Sequence, residues 1–174
     1  MPSGRTHDRI TLWTLPVVAG VTLAITRNGQ ATLMICAGYF FGGLMLGPDL
    51  DLHSIHYKRW GWLRWIWLPY QGSLRHRSPY SHAPIIGTTL RVIYLLAWLG
   101  LFSYLVMALM NEVWQTGWTW GQIGRLLATF LNRYKAEAIA LCIGLELGAF
   151  SHYTADWLSS ETKRKKKSKR KSED

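Results

Sequence analysis

The chain has 174 residues, 20 Lys and Arg against 10 Asp and Glu, 49% hydrophobic residues and a mean hydropathy near zero. Those averages fit neither a disordered chain nor an ordinary soluble domain. Eight of the basic residues lie between Lys163 and Lys171, leaving a body apolar enough, and rich enough in its ten tryptophans, to sit in a membrane. The basic excess does not imply nucleic acid, because the body has no basic face interleaved with exposed aromatics. Cys36 and Cys142 both fall inside apolar runs, where a thiol acts as a small buried hydrophobe.

The first span is Ile10–Thr26, between Arg9 and Arg27. A signal peptide is the alternative reading, but Pro16 and the lack of an A-x-A site argue against cleavage. The second span is Asn28–Pro48, ending at Asp49. In the connection that follows, Trp60, Trp62, Trp65 and Trp67 alternate with Lys58, Arg59 and Arg64, the pattern of an aromatic belt. The third span is Val92–Asn111, with Arg91 placed to snorkel from its inner end and Trp114, Trp118 and Trp120 marking the opposite interface. The fourth is Ala138–Leu158, interrupted by Glu146, His152 and Asp156. Each run suits a crossing of roughly 30 Å of hydrocarbon. The fold class is therefore all-α, an integral membrane protein with about four transmembrane helices. Residues 1–158 form the embedded domain and residues 159–174 a disordered basic tail, since no apolar side chain after Leu158 could pack.

Orientation follows from Lys and Arg. With the N-terminus cytoplasmic, 15 of the 20 fall inside and only Arg27, Arg125, Arg133 and Lys135 outside, leaving Arg91 within the third span. Both termini are expected on the cytoplasmic side of a bacterial inner or thylakoid membrane, with the tail attracted to anionic lipid headgroups.

All six histidines, His7, His53, His56, His76, His82 and His152, then fall on one side, together with Asp8, Asp49, Asp51 and Asp156. The topology used only Lys and Arg, so this coincidence is independent of it. Imidazole nitrogen and carboxylate oxygen are the donor set for zinc, manganese or iron, as one ion or two. His152 and Asp156, at i and i+4, share a helical face. Asp49-Leu50-Asp51-Leu52-His53, if extended, points three donors one way. Ala140, Gly144, Gly148, His152 and Asp156 form one i, i+4 stripe, and Gly38 and Gly42 offer a matching small-residue face on the second span, so these two helices are expected to pack closely. Glu146 lies off that stripe, as a protonated packing or relay group. Arg75 and Arg77 flank His76, with Pro79 and His82 following. Two guanidiniums there suit either an oxyanion substrate or a topology signal.

Four blocks carry a family resemblance: Ser3-Gly-Arg-Thr-His-Asp-Arg9, Gly47-Pro-Asp-Leu-Asp-Leu-His53, His76-Arg-Ser-Pro-Tyr-Ser-His-Ala-Pro84 and Ser151-His-Tyr-Thr-Ala-Asp156. The chain resembles the metal-binding membrane proteins of cyanobacteria and other bacteria and, more distantly, the membrane-bound metal-dependent hydrolases. The resemblance implies metal-binding roles for His7, Asp49, Asp51, His76, His82, His152 and Asp156, to which the alternation above adds His53. Pro79, Tyr80 and Ala83 depart from the hydrolase block, which weakens the implied activity more than the implied metal.

The leading expectation is a metal-dependent hydrolase acting on an ester or phosphoester near the membrane interface, with the metal at the cytoplasmic-side helix ends and Arg77 stabilising the oxyanion. The rival is a non-catalytic protein that uses the ion to staple its helix ends and serves as an accessory subunit of a larger membrane complex. A metal transporter would need polar groups through the bilayer centre, and Glu146 alone gives thin support.

Overall fold

The computed structural model describes residues 4–74, 78 and 83–173, with side chains beyond residue 162 described only at Arg164. Among the described residues the chain is helical with no strand. Helix α1 spans Gly4–Thr26 and α2 spans Gly29–Leu44, followed by a 3-10 turn at Pro48–Asp51. The connection folds as α3 (Ile55–Arg59), a 3-10 segment Gly61–Trp67 and α4 (Leu68–Ser73). Three further helices follow: α5 (Ile86–Trp114), α6 (Trp120–Arg133) and α7 (Lys135–Glu173). Four stretches are long and apolar enough to cross a membrane: Gly4–Thr26, Gly29–Asp51, Ile86–Trp114 and Lys135–Thr162.

Helices α1 and α2 form a hairpin whose turn is fixed by Asn28. Its side chain accepts the Gln30 and Ala31 backbone N–H groups at 2.9 and 3.1 Å, supplying donors at the start of α2 with a partner. Along α1, the hydroxyls of Thr14, Thr22 and Thr26 bond back to carbonyls four residues earlier, which keeps these polar groups paired on an apolar helix. Thr14 also meets the Tyr39 hydroxyl on α2 at 2.5 Å. A few residues along, Thr11 sits against Gly43, where any side chain would collide with it.

The closest packing is between α2 and α7. A Cβ at Gly144 would lie 2.1 Å from the Ile35 carbonyl oxygen, and one at Gly148 would lie 2.5 Å from that of Tyr39. Gly38 and Gly42 face the α7 backbone just as closely. The expected small-residue faces therefore meet, backbone against backbone. This approach aligns the ends of both helices and brings the residues after Gly42 beside those after Gly148.

The connection after α2 is a folded cap rather than a simple aromatic belt. Trp67 is fully buried among Leu46, Leu50, Tyr57, Ile66, Tyr70 and Leu145. Trp60 donates to the Met45 carbonyl at 3.1 Å and meets Trp67 edge to face. Gln71 bridges the Leu50 and Leu52 carbonyls at 2.9 and 3.0 Å, and the Tyr94 hydroxyl donates to the Ile66 carbonyl from α5. Trp62 and Trp65 remain exposed.

Helix α5 contributes Gly87, Thr88 and Arg91 to the interior, while its apolar middle faces outward. Arg91 does not snorkel: it is fully buried and meets Thr88 Oγ1 at 3.2 Å and the Tyr70 side chain. Folding of the cap over the N-terminal end of α5 removes its route to solvent and supplies polar partners instead. Cys142 is exposed on the apolar exterior and Cys36 is half-buried, so neither is the fully buried hydrophobe expected.

Helix α7 continues past Leu158 through the basic segment to Glu173, where the sequence points to disorder. Residues 159–173 hold no Gly or Pro, so nothing in the sequence breaks the helix that α7 has already begun.

Candidate metal centre

Each donor owes its place to a local feature of its element. His7 and Thr11, four residues apart, are the buried residues of α1, so the face that meets α2 also carries an imidazole to the helix end. Pro48 at the first position of the 3-10 turn presets a helical φ, and the turn drives Leu50 fully into the core. That turn carries Asp49 to the cluster. Ser54 caps α3 by accepting the Tyr57 N–H at 3.3 Å, and α3 presents His56 inward. Gly47 makes room for this ring: a Cβ there would lie 2.5 Å from His56 Cε1. The stripe on α7 delivers His152 and Asp156.

The result is a compact group of three imidazoles and two carboxylates. His7 Nε2 lies 3.4 Å from Asp156 Oδ1, and His152 Nε2 lies 3.3 Å from Asp49 Oδ2 and 3.7 Å from Asp156 Oδ2. The His7 and His152 rings stack with centroids 3.7 Å apart, and His56 stands 5.3 Å from His152. Two sets each bring three donor atoms within 4.8 Å of one another: His7, His152 and Asp156, and Asp49, His56 and His152. The histidines are 1–3% exposed.

Hydrogen bonding tests whether these residues fit an ion. Both nitrogens of His56, both of His152, Nδ1 of His7 and Oδ1 of Asp156 are buried without a hydrogen-bond partner among the described residues. More than about 90% of such buried atoms are normally bonded. An unpaired buried donor or acceptor costs about 1–3 kcal/mol, so several in one place are tolerable only if something satisfies them together. Imidazole nitrogen and carboxylate oxygen are suited to a divalent transition ion. Burial, the neighbouring His152 and Arg59 push His56 down to about 4, against the opposing pull of Asp49 and Asp8, so at neutral pH its ring is uncharged and free to ligate.

Arg59 braces the group from outside. It grips both oxygens of Asp8, one at 2.9 Å, and donates to the Leu44 carbonyl at 2.9 Å, tying α1, the end of α2 and α3 together. Asp8 is thus engaged by a guanidinium beside the cluster.

Of the residues singled out in the sequence, His7, Asp49, His152 and Asp156 come together. Asp51 is buried but belongs to neither donor set. It lies within electrostatic reach of Tyr70, whose phenol is raised mainly by burial and also by Asp51, with Arg91 opposing. His53 is exposed and meets the Tyr57 ring edge-on, outside both sets. The alternation argument assumed an extended chain, whereas the segment turns at about three residues per turn. His56 takes the place assigned to His53, and the signal for it was the capping serine that starts α3 two residues earlier. Arg75, His76, Arg77 and His82 lie outside the described residues. Glu146 accepts the Ile85 N–H at 2.8 Å, holding a tight turn in which Ile85 takes a φ of 67° and Ile86 N–H donates to the Pro84 carbonyl at 2.7 Å. A β-branched residue at positive φ is strained, so Glu146 secures the turn that launches α5.

A protein of Aquifex aeolicus (strain VF5), described as an uncharacterized protein, is 42% identical over 59 residues, or 33% of this chain. The aligned part is 41% of that relative's length. No solved structure matches the chain. The model of the family described as uncharacterized metal-binding protein (DUF2227) matches residues 2–166, nearly the whole of the described fold including every member of the His/Asp group, and the chain belongs to that family.

Proposed function

We propose that this protein is an integral membrane metalloprotein whose His/Asp group holds one or two divalent transition ions, zinc first, and hydrolyses an ester or phosphoester at the cytoplasmic interface. The observation that carries the reading is the set of buried imidazole nitrogens without a hydrogen-bond partner converging with two carboxylates. The neutral imidazole of His56 is ready to ligate without prior deprotonation. A bound ion would supply Lewis acidity and an activated water. His7, His56 and His152 would donate nitrogen, and Asp49 and Asp156 oxygen. His76 and His82, with Asp51, are further candidates through the family-like motifs. Arg77 is the candidate to stabilise an oxyanion, since a guanidinium matches its geometry and charge. The span lengths and the distribution of Lys and Arg support membrane insertion with both termini cytoplasmic.

A second reading has its own support. The donors come from α1, the turn after α2, α3 and α7, so an ion in the first set would clip α1 to α7 and one in the second would clip the turn and α3 to α7, without turning over any substrate, as a staple in a larger membrane complex.

Elemental analysis of the detergent-solubilised protein, paired with hydrolysis of ester and phosphodiester probes in mixed micelles, separates the two. Stoichiometric metal with turnover abolished by His152→Ala supports the hydrolase. Stoichiometric metal without turnover supports the staple. Metal content unaffected by combined His152→Ala and Asp156→Ala overturns both.

A further inference from the structure

Helix α6 has no buried residue, yet it is a well-formed amphipathic helix. Thr119 accepts the Gln122 N–H at 3.3 Å while Gln122 accepts the Thr119 N–H at 2.8 Å, a reciprocal cap at its start. At about 100° per residue, Leu126, Phe130, Ile123, Leu127, Trp120 and Leu131 fall within an arc of roughly 140°. Asn132, Arg125, Thr129, Gln122 and Arg133 occupy the opposite side. All six apolar residues are at least partly exposed, which a helix surrounded by water would not sustain.

The position of α6 says what covers that face. Helix α5, with 29 residues, is roughly 44 Å long at about 1.5 Å per residue, against roughly 30 Å of hydrocarbon. Tyr104 lies roughly 27 Å along it from the end near the cluster, close to where the hydrocarbon would stop on the far side. Trp120 stacks on Tyr104, centroids 5.9 Å apart and planes 7° from parallel. Asn111 fixes this return by bonding Trp118 N–H at 3.0 Å, the Trp118 carbonyl at 2.8 Å and Thr116 at 2.6 Å. The start of α6 is therefore held at interfacial depth. Its apolar face is continuous with the outward face of α5 across a cavity of about 610 Å³ lined by apolar side chains, including Phe102, Val106, Met110 and Ile123. Arg125 and Arg133 stand on the other face, where lipid phosphates would be, and Tyr134 ends the helix with Arg133 over its ring.

We infer that α6 lies in the plane of the membrane on the side opposite the His/Asp group, its apolar arc among acyl chains and its arginines at anionic headgroups. This rests on the membrane reading above and is independent of the metal. Such a helix would anchor the α5–α7 end of the bundle at a fixed depth.

The test uses the full chain with Cys36→Ser and Cys142→Ser, reconstituted in phosphatidylcholine–phosphatidylglycerol vesicles with a water-soluble maleimide on both sides. Gln122→Cys and Thr129→Cys should label as they do in denaturant, whereas Leu127→Cys and Phe130→Cys should lose labelling at every lipid-to-protein ratio. Equal labelling of all four would overturn the inference. Protection of Leu127→Cys and Phe130→Cys that vanishes in a large excess of lipid would also overturn it, by identifying a second copy as the cover. Flotation of the same vesicles reads the underlying assumption separately: protein that fails to float refutes membrane insertion, and protein that floats without the labelling pattern refutes the placement of α6 alone.

Discussion

Adding one methyl group at Gly144 tests whether helix packing builds the metal centre. In Gly144→Ala the new Cβ would stand 2.1 Å from the Ile35 carbonyl oxygen and 2.9 Å from Tyr39 N, both backbone atoms that no rotamer change can clear. Ordinary van der Waals contact requires about 3.4 Å, so α2 and α7 must part locally by roughly 1.3 Å. Overpacking of this kind costs about 1–3 kcal/mol. Gly144 lies eight residues from His152 on the same stripe, so separation there also moves Asp49 away from His152, across a gap now 3.3 Å. Loss of support around ligands typically weakens metal binding by about 10–100-fold. Competition titration with a chromophoric chelator, alongside thermal unfolding in detergent, measures both effects. Gly100→Ala is the control, because a Cβ there meets nothing within 4 Å and should be neutral or slightly stabilising, by up to about 1 kcal/mol. Wild-type affinity and stability in Gly144→Ala would refute the argument that this glycine contact positions the donors.

Three further outcomes follow from the same geometry. His56→Ala should lose metal binding by the chelator titration while His53→Ala retains it, since one imidazole is buried in the cluster and the other is exposed; the opposite order would refute the placement of α3. In metal-free protein, His56 has a folded pKa of about 4, below its ordinary 6.5, so the unfolded chain binds the proton more readily. Stability should be full above about pH 6.5 and fall by about 3 kcal/mol as the pH drops to about 4; denaturant titrations across that range should show the slope, and an equal slope in His56→Gln would assign it to another group. Trp67→Ala, which empties the centre of the aromatic cap, should cost about 3–5 kcal/mol in the same unfolding measurement and abolish the cooperative transition if the cap holds the connection in place.

The four helices long and apolar enough to cross a membrane were legible because uncharged length is a direct signal, and the tight α2–α7 contact was legible because glycines four apart mark a helix face. The end of α7 carried its donors on the same periodic stripe. The connection between α2 and α5 was less readable. Its apolar residues, Trp60 and Trp67, look like belt tryptophans from composition, but their burial depends on partners in α5 and α2 that lie far off in sequence. Helix α6 carried readable signals, a reciprocal Thr119/Gln122 cap and a period near 3.6, yet flanking tryptophans made it resemble a plain interfacial loop. His56 was displaced by His53 because strict alternation is persuasive only where the backbone is extended, and Pro48 and Ser54 both favour helical turns there.

The pairing of His7 with Asp156 has a topological consequence. An ion gripping both would close a covalent-like ring containing roughly 150 residues, the largest loop that any pair of the described donors could close. Loop-closure entropy grows only logarithmically, but for a ring of that size it amounts to about 5 kcal/mol removed from the freedom of the unfolded chain. Such a clasp cannot form before the last helix has been made. It becomes available only when α7 has returned beside α1, so acquisition of the metal would report that the bundle has closed.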